Sequence, residues 1–189
     1  MKHWKLSLGL SLMMGAAAIS TAHALEVEGI QIADKATVGE QALVLNGAAV
    51  RSKFFFDIYI GALYLPSKTK SATDAMSSKG NKRVLMHFLY DEVSKDKLVN
   101  GWNEGFENNT KNLAELQARL NQFNNFFQDM KKGDVVVYDF TDNGKTTVMI
   151  NDKVAGSIEG ADFQQALLAV WLGEDPADDD LKEGMLGDN

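Results

Sequence analysis

Arg51 and Tyr59 are the two residues of this chain best suited to ligand chemistry. They lie in RSKFFFDIYIGALYL, residues 51–65, the longest nearly unbroken apolar run after the N-terminal segment. A guanidinium set into such a run needs a partner. One possibility is internal, through Asp57 or a helix glutamate. The other is a carboxylate ligand held by a forked pair of hydrogen bonds. Tyr59 shares the face of Arg51 if the segment is one regular strand, and its hydroxyl then adds a second donor.

Other chemistry is sparse. The three histidines are His3, His23 and His87. The first two fall in the N-terminal segment, so His87 alone cannot build a catalytic triad or a histidine metal site. Asp178, Asp179 and Asp180 lack the glycine and spaced glutamate of a calcium loop and read as a solvated acidic turn. DNGKTT, residues 142–147, lacks phosphate-loop spacing and reads as a hairpin turn. No metal, cofactor or catalytic residue is expected.

The element that carries Arg51 reads as a β-strand over 51–65, bounded by the NGAA turn cluster and Pro66. Phe54, Phe56, Ile58, Ile60, Ala62 and Tyr64 then share one face and must meet a core layer. Arg51, Lys53, Phe55, Asp57, Tyr59, Gly61 and Leu63 share the other. A few polar groups on an otherwise apolar face suit a ligand cleft.

The 189 residues suit one domain. Lys2 and Lys5 precede a mostly apolar run, Leu6 to Ile19, that ends in small residues and Ala22-His23-Ala24. This is the three-part pattern of a secretory signal peptide, giving a leader over 1–24 and a mature domain over 25–189. The run is short of the ~20 residues a membrane span needs, and no second one follows, so the mature form is expected to have no transmembrane anchor. There is no cysteine. A leader without disulfides downstream favours a bacterial periplasm. The formal charge is −7, and the leader holds two lysines and no acid, so the mature part is more acidic still. Such a balance argues against nucleic acid and anionic membrane surfaces.

Along the chain, residues 25–32 read as a strand with a bulge at Gly29, 36–40 as a turn, and 42–45 as a short strand before an Asn46-Gly47 turn. A helical turn or two is expected around 72–76, and a strand over 83–90. Ser94 caps a helix with an apolar stripe of Leu98, Val99, Trp102 and Phe106. A second, longer helix runs from Leu113 through Phe127 and Met130 to Gly133. Strands over 134–140 and 145–150 flank TDNG, and a third follows over 153–158. Asp162 and Gln165 resemble a capping box for a last helix, with Trp171 in its buried stripe and Gly173 at its end.

Three blocks, NGAAVRSKFFFDIYIGALYLP, FLYDEVSKDKLVNGWNEGFENN and ALLAVWLGEDPADDDLKEGMLG, resemble the bacterial chalcone isomerase-like proteins. The resemblance spans nearly all of the mature chain. It implies an α+β fold, an open-faced antiparallel β-sandwich with helices packed on the sheet. That family contains plant enzymes that close chalcones to flavanones and fatty-acid-binding relatives without that chemistry. Arg51 matches the arginine used by both groups. Where the enzymes carry a threonine on the next strand this chain places Tyr59, and where they carry a helix tyrosine and asparagine it places Leu98 and Gly105. Their late threonine or serine falls near Val170. The resemblance therefore implies a non-catalytic periplasmic protein that binds a fatty acid or similar apolar carboxylate through Arg51 and Tyr59. The alternative is an isomerase or lyase acting on a chalcone-like phenol. A third class is a structural or interaction protein whose cleft is filled by its own side chains.

Overall fold

Arg51 and Tyr59 stand on two strands, not one. The computed structural model describes residues 24–188, in which the chain leaves extended structure after Lys53, turns at Phe54 and Phe55 and resumes at Phe56. The leader expected over 1–24 lies outside the described residues except for Ala24.

In chain order the elements are β1 (Ala24–Val27), β2 (Ile30–Ala33), β3 (Lys35–Val38), β4 (Gln41–Lys53), β5 (Phe56–Leu65), α1 (Ala72–Ser77), β6 (Lys82–Phe88), β7 (Glu92–Val93), α2 (Lys95–Asn109), α3 (Leu113–Asn124), β8 (Met130–Lys131), β9 (Val135–Phe140), β10 (Lys145–Ile150), β11 (Lys153–Glu159), α4 (Ala161–Leu172) and α5 (Asp179–Met185). Seven strands form one antiparallel sheet in the order β11-β10-β9-β6-β5-β4-β3. The pairs β1-β2 and β7-β8 are separate two-stranded ribbons. This is the α+β plan expected from the sequence.

Alternation along each strand divides the sheet into two faces. Leu63, Leu65, Val84, Met86, Phe88, Val136, Tyr138, Phe140 and Val148 meet the helices in the larger core. Ile60, Ala62 and Tyr64 meet Leu43, Leu45, Ala48 and Ile32 of the β1-β2 ribbon in a smaller one. The expectation that the even-numbered face of β5 is buried therefore holds for residues 60, 62 and 64. It fails for Phe54 and Phe56, which are 87% and 53% exposed.

Several local expectations give way to tertiary contacts. Asn46-Gly47 is not a turn but a bulge inside β4. Asn46 donates its amide to Met185 O at 2.8 Å and Thr69 O at 3.0 Å, and accepts from Thr69 N at 2.8 Å. Gly47 is needed because α5 ends against it: a Cβ there would lie 2.1 Å from Gly184 O. Residues 25–32 are a hairpin, since Glu28 and Gly29 both take left-handed φ values, 48° and 75°. The turn over 36–40 narrows to Gly39 and Glu40 between β3 and β4.

The helix expected to run on to Gly133 stops at Asn124. Asn125 N then donates to Gln122 O in a tighter last turn. Phe126 leaves the helix to lie over Gly156, and Met130 pairs with Val93 in the β7-β8 ribbon. The apolar spacing continues past the helix because these residues still face the core. The capping box is also overturned. Gly160 is the N-cap of α4, Asp162 pairs with Arg119, and Gln165 donates to Met76 O. Ser94 caps α2 as expected, with its Oγ accepting from Lys97 N. Trp102 and Trp171 are core residues of α2 and α4, 3% and 0% exposed.

Candidate functional site

The turn at Phe54-Phe55 folds β5 back onto β4 and sets Arg51 directly opposite Tyr59. The register slips by one residue beside this pair, between Arg51 and Ser52. Such a bulge re-aims neighbouring side chains. The two residues share a face, as expected, but across strands rather than along one. The Arg51 Cζ stands 5.8 Å from the centroid of the Tyr59 ring, within cation–π range.

Arg51 is half-buried. Its Nε donates to Ala177 O at 3.4 Å, a long bond, from the loop between α4 and α5. Among the described residues it has no carboxylate within 4 Å. The internal ion pair with Asp57 is therefore not formed; Asp57 instead accepts from Ser52 Oγ at 2.7 Å. Asp178 stands near, accepting from Ser52 N at 3.2 Å and capping α5 through Leu181 N at 2.8 Å. The acidic run is thus not merely solvated; its first member is a helix cap.

Tyr59 is buried and faces the helices. Its hydroxyl accepts from Trp171 Nε1 at 3.1 Å, which leaves its own proton free to donate. Burial pushes its ionisation up, opposed by the Arg51 charge, so it remains a neutral donor at ordinary pH. The Trp171 ring lies 5.3 Å from both Trp102 and Tyr138. Tyr138 donates only to Met86 Sδ at 3.4 Å, and the Trp102 indole N–H is buried without a partner. Beneath the Arg51–Tyr59 pair is therefore a layer of aromatic rings whose polar atoms are incompletely used. Sequence reasoning placed Trp171 and Trp102 in the core but missed that Trp171 bonds to Tyr59. Its position beside Val170 was the available signal.

The three positions that the resemblance aligned with polar residues of the plant enzymes are closed here. Leu98, Gly105 and Val170 are all buried. A Cβ on Gly105 would meet Val170 Cγ1 at 2.7 Å, so α2 and α4 touch where a helix asparagine would stand. These side chains offer no proton donor or acceptor. His87 is half-exposed on β6, and burial shifts its ionisation down. Among the described residues no cluster of three His, Cys, Asp or Glu is placed to hold a metal, and no helix is long and apolar enough to cross a membrane. An open depression of ≈ 820 Å³ lies away from Arg51, lined by Asp34, Asn46, Lys68, Lys70 and Leu186 among others.

A seven-stranded antiparallel sheet with helices on one face and an arginine–tyrosine pair on the strands beneath them defines the class of fold. This chain belongs to the chalcone isomerase-like family, whose model matches residues 24–187. It is similar to the crystal structure of a fatty-acid binding protein of Arabidopsis thaliana, with a TM-score of 0.71 and 16% identity over 87% of this chain and 96% of that one. At that identity the likeness establishes the fold alone. No curated protein matches the sequence.

Proposed function

We propose that this protein is a non-catalytic binding protein for an apolar carboxylate, a fatty acid or a close analogue, acting in the periplasm after export. One observation carries the reading: Arg51 is a half-buried cation with no carboxylate partner among the described residues, its one hydrogen bond there a long one to a backbone carbonyl. In this reading its terminal nitrogens take the carboxylate in a forked pair, and the Tyr59 proton is a further donor. Ile58 and Tyr90, part-buried against the helix–sheet core, supply an apolar rim on which the tail begins. The fatty-acid-binding relative supports the same choice of ligand class.

A second reading is favoured by the aromatic layer. Trp102, Tyr138 and Trp171 fill the space below Tyr59, as in a protein whose cleft is closed by its own side chains. Arg51 then only clamps the loop at Ala177. Calorimetry separates the two. For a carboxylate site, Arg51→Gln is expected to weaken fatty-acid binding by on the order of 10²-fold or more, from the about 3–5 kcal/mol that a buried charge costs on losing its partner. The methyl ester binds both proteins equally poorly in that case. Equal binding of the acid by both proteins, or by neither, supports the closed-core reading.

A further inference from the structure

The tip of the β4-β5 hairpin projects beyond the site just described, touching it only where Phe56 meets Tyr90 edge-on at 5.4 Å. Phe54, Phe55 and Phe56 are 87%, 98% and 53% exposed. They are three of the five large apolar residues exposed among the described residues; the others are Leu25 and Val154. Three adjacent exposed aromatics are costly in water and ordinarily mark an interaction surface. The turn is strained as well. Phe54 has φ 59°, a left-handed conformation that hairpins normally give to glycine, asparagine or aspartate. This chain thus retains phenylalanine where both solvation and backbone preference oppose it.

The register places the tip. β5 begins beside the end of β6, β6 ends beside the start of β9, and β10 ends beside β9 and β11 at the same level. Val154, 69% exposed near the start of β11, therefore lies at the same end of the sheet. Exposed Lys53, Lys131, Lys132 and Lys153 stand there too, interspersed with Asp91, Glu92, Asp134 and Asp152. Arg51 and Lys53 stand beside two carboxylates, Asp57 and Asp178, both of which Ser52 already engages. Lys53 flanks the tip and forms no ion pair with a described residue.

We propose that this hairpin tip inserts into the interfacial region of a lipid bilayer, with Phe54 and Phe55 among the upper acyl chains and Lys53 against headgroup phosphates. A convex tip whose two turn residues are almost fully exposed suits a medium that surrounds it, whereas a flat protein face covers only one side. Exposed aromatic groups flanked by a lysine have this arrangement in interfacial anchors. The acidity of the rest of the molecule directs it to zwitterionic rather than anionic lipid. The inference does not depend on Arg51 binding a ligand.

The test is flotation of the processed protein, as recovered from its host, with phosphatidylcholine vesicles. Wild type is expected to float with the lipid and to remain bound in about 1 M salt, where the screening length is about 3 Å. The double variant F54S/F55S is expected to lose vesicle binding on the order of tenfold or more, with its thermal transition intact. In Phe55→Trp the introduced indole is expected to shift its emission to the blue on adding vesicles, over a constant background from buried Trp102 and Trp171. Equal flotation of wild type and F54S/F55S overturns the proposal. So does binding seen only on phosphatidylglycerol vesicles and abolished by salt. An oligomer that F54S/F55S converts to monomer, without flotation of wild type, assigns the tip to a second copy of the chain and overturns it as well.

Discussion

Adding one methyl group at Gly47 or at Gly101 should change stability in opposite directions. In Gly47→Ala the new Cβ would stand 2.1 Å from Gly184 O, 2.8 Å from Gly187 N and 3.0 Å from Met185 O. All three are backbone atoms, so no side chain can rotate away. Either β4 shifts by about an ångström, the usual 1–3 kcal/mol of overpacking, or α5 lifts off. Lifting α5 exposes Leu181, Met185 and Leu186, now 0%, 0% and 7% exposed. At about 1.5–3 kcal/mol for each buried side chain, that route costs roughly 5–9 kcal/mol, an upper bound since an undocked segment stays partly covered. The loss of the Asn46 bond to Met185 O adds about 1 kcal/mol. The smaller route sets the outcome, but a contact this short exceeds ordinary overpacking. Gly47→Ala is therefore expected to cost about 3–5 kcal/mol. Gly101 lies exposed within α2 with nothing within 4 Å of its would-be Cβ, so Gly101→Ala is expected to stabilise by about 0.5–1 kcal/mol. Urea unfolding of both variants against wild type measures the pair. A loss below about 1 kcal/mol in Gly47→Ala would refute the close docking of α5, and with it the placement of Ala177 and Asp178 around Arg51.

Replacing Trp171 by phenylalanine removes the bond to the Tyr59 hydroxyl with little change of shape and is expected to cost about 1–2 kcal/mol, whereas Trp171→Ala and Trp102→Ala are each expected to cost about 3–5 kcal/mol; denaturant midpoints rank the three. Arg119 holds the Asp162 carboxyl down to about 2. A depressed carboxylate stabilises the fold above its unfolded value near 3.8 and loses that contribution as pH falls toward 2. The pair is largely solvated, so the effect stays below about 1 kcal/mol. The stability gap between wild type and Asp162→Asn is expected to close between those pH values, and an unchanged gap at pH 2 would mean the pair does not form. Phe54→Asn, which tolerates the left-handed turn better, is expected to raise stability by about 0.5–1 kcal/mol; a lower thermal midpoint would show that the ring is anchored rather than free.

Composition and local periodicity were enough to read β6, β9 and β10 as strands, the Ser94 cap, the stripe holding Trp102, and the helix ending at Gly173. These depend on neighbours within a few residues, which the order of the chain records. The types at positions 51 and 59 were legible for the same reason: an arginine and a tyrosine in an apolar run stand out without a structure. What tertiary structure decided is where the chain bends and what fills the space between layers. RSKFFFDIYIGALYL has no glycine or proline near its reversal, so the Phe54-Phe55 turn carries no local signal and the run reads as one strand. Asn46-Gly47 carries a strong turn signal that the sequence cannot weigh against contacts with Thr69 and Gly184–Met185. The end of α3 was hidden because Phe127 and Met130 keep facing the core after the helix stops. The interior below Arg51 and Tyr59 is settled by non-local packing. Rings from α2, α4 and β9 meet there at 5–6 Å, and their combined volume, rather than the apolar character of any one element, decides how much room a ligand tail finds.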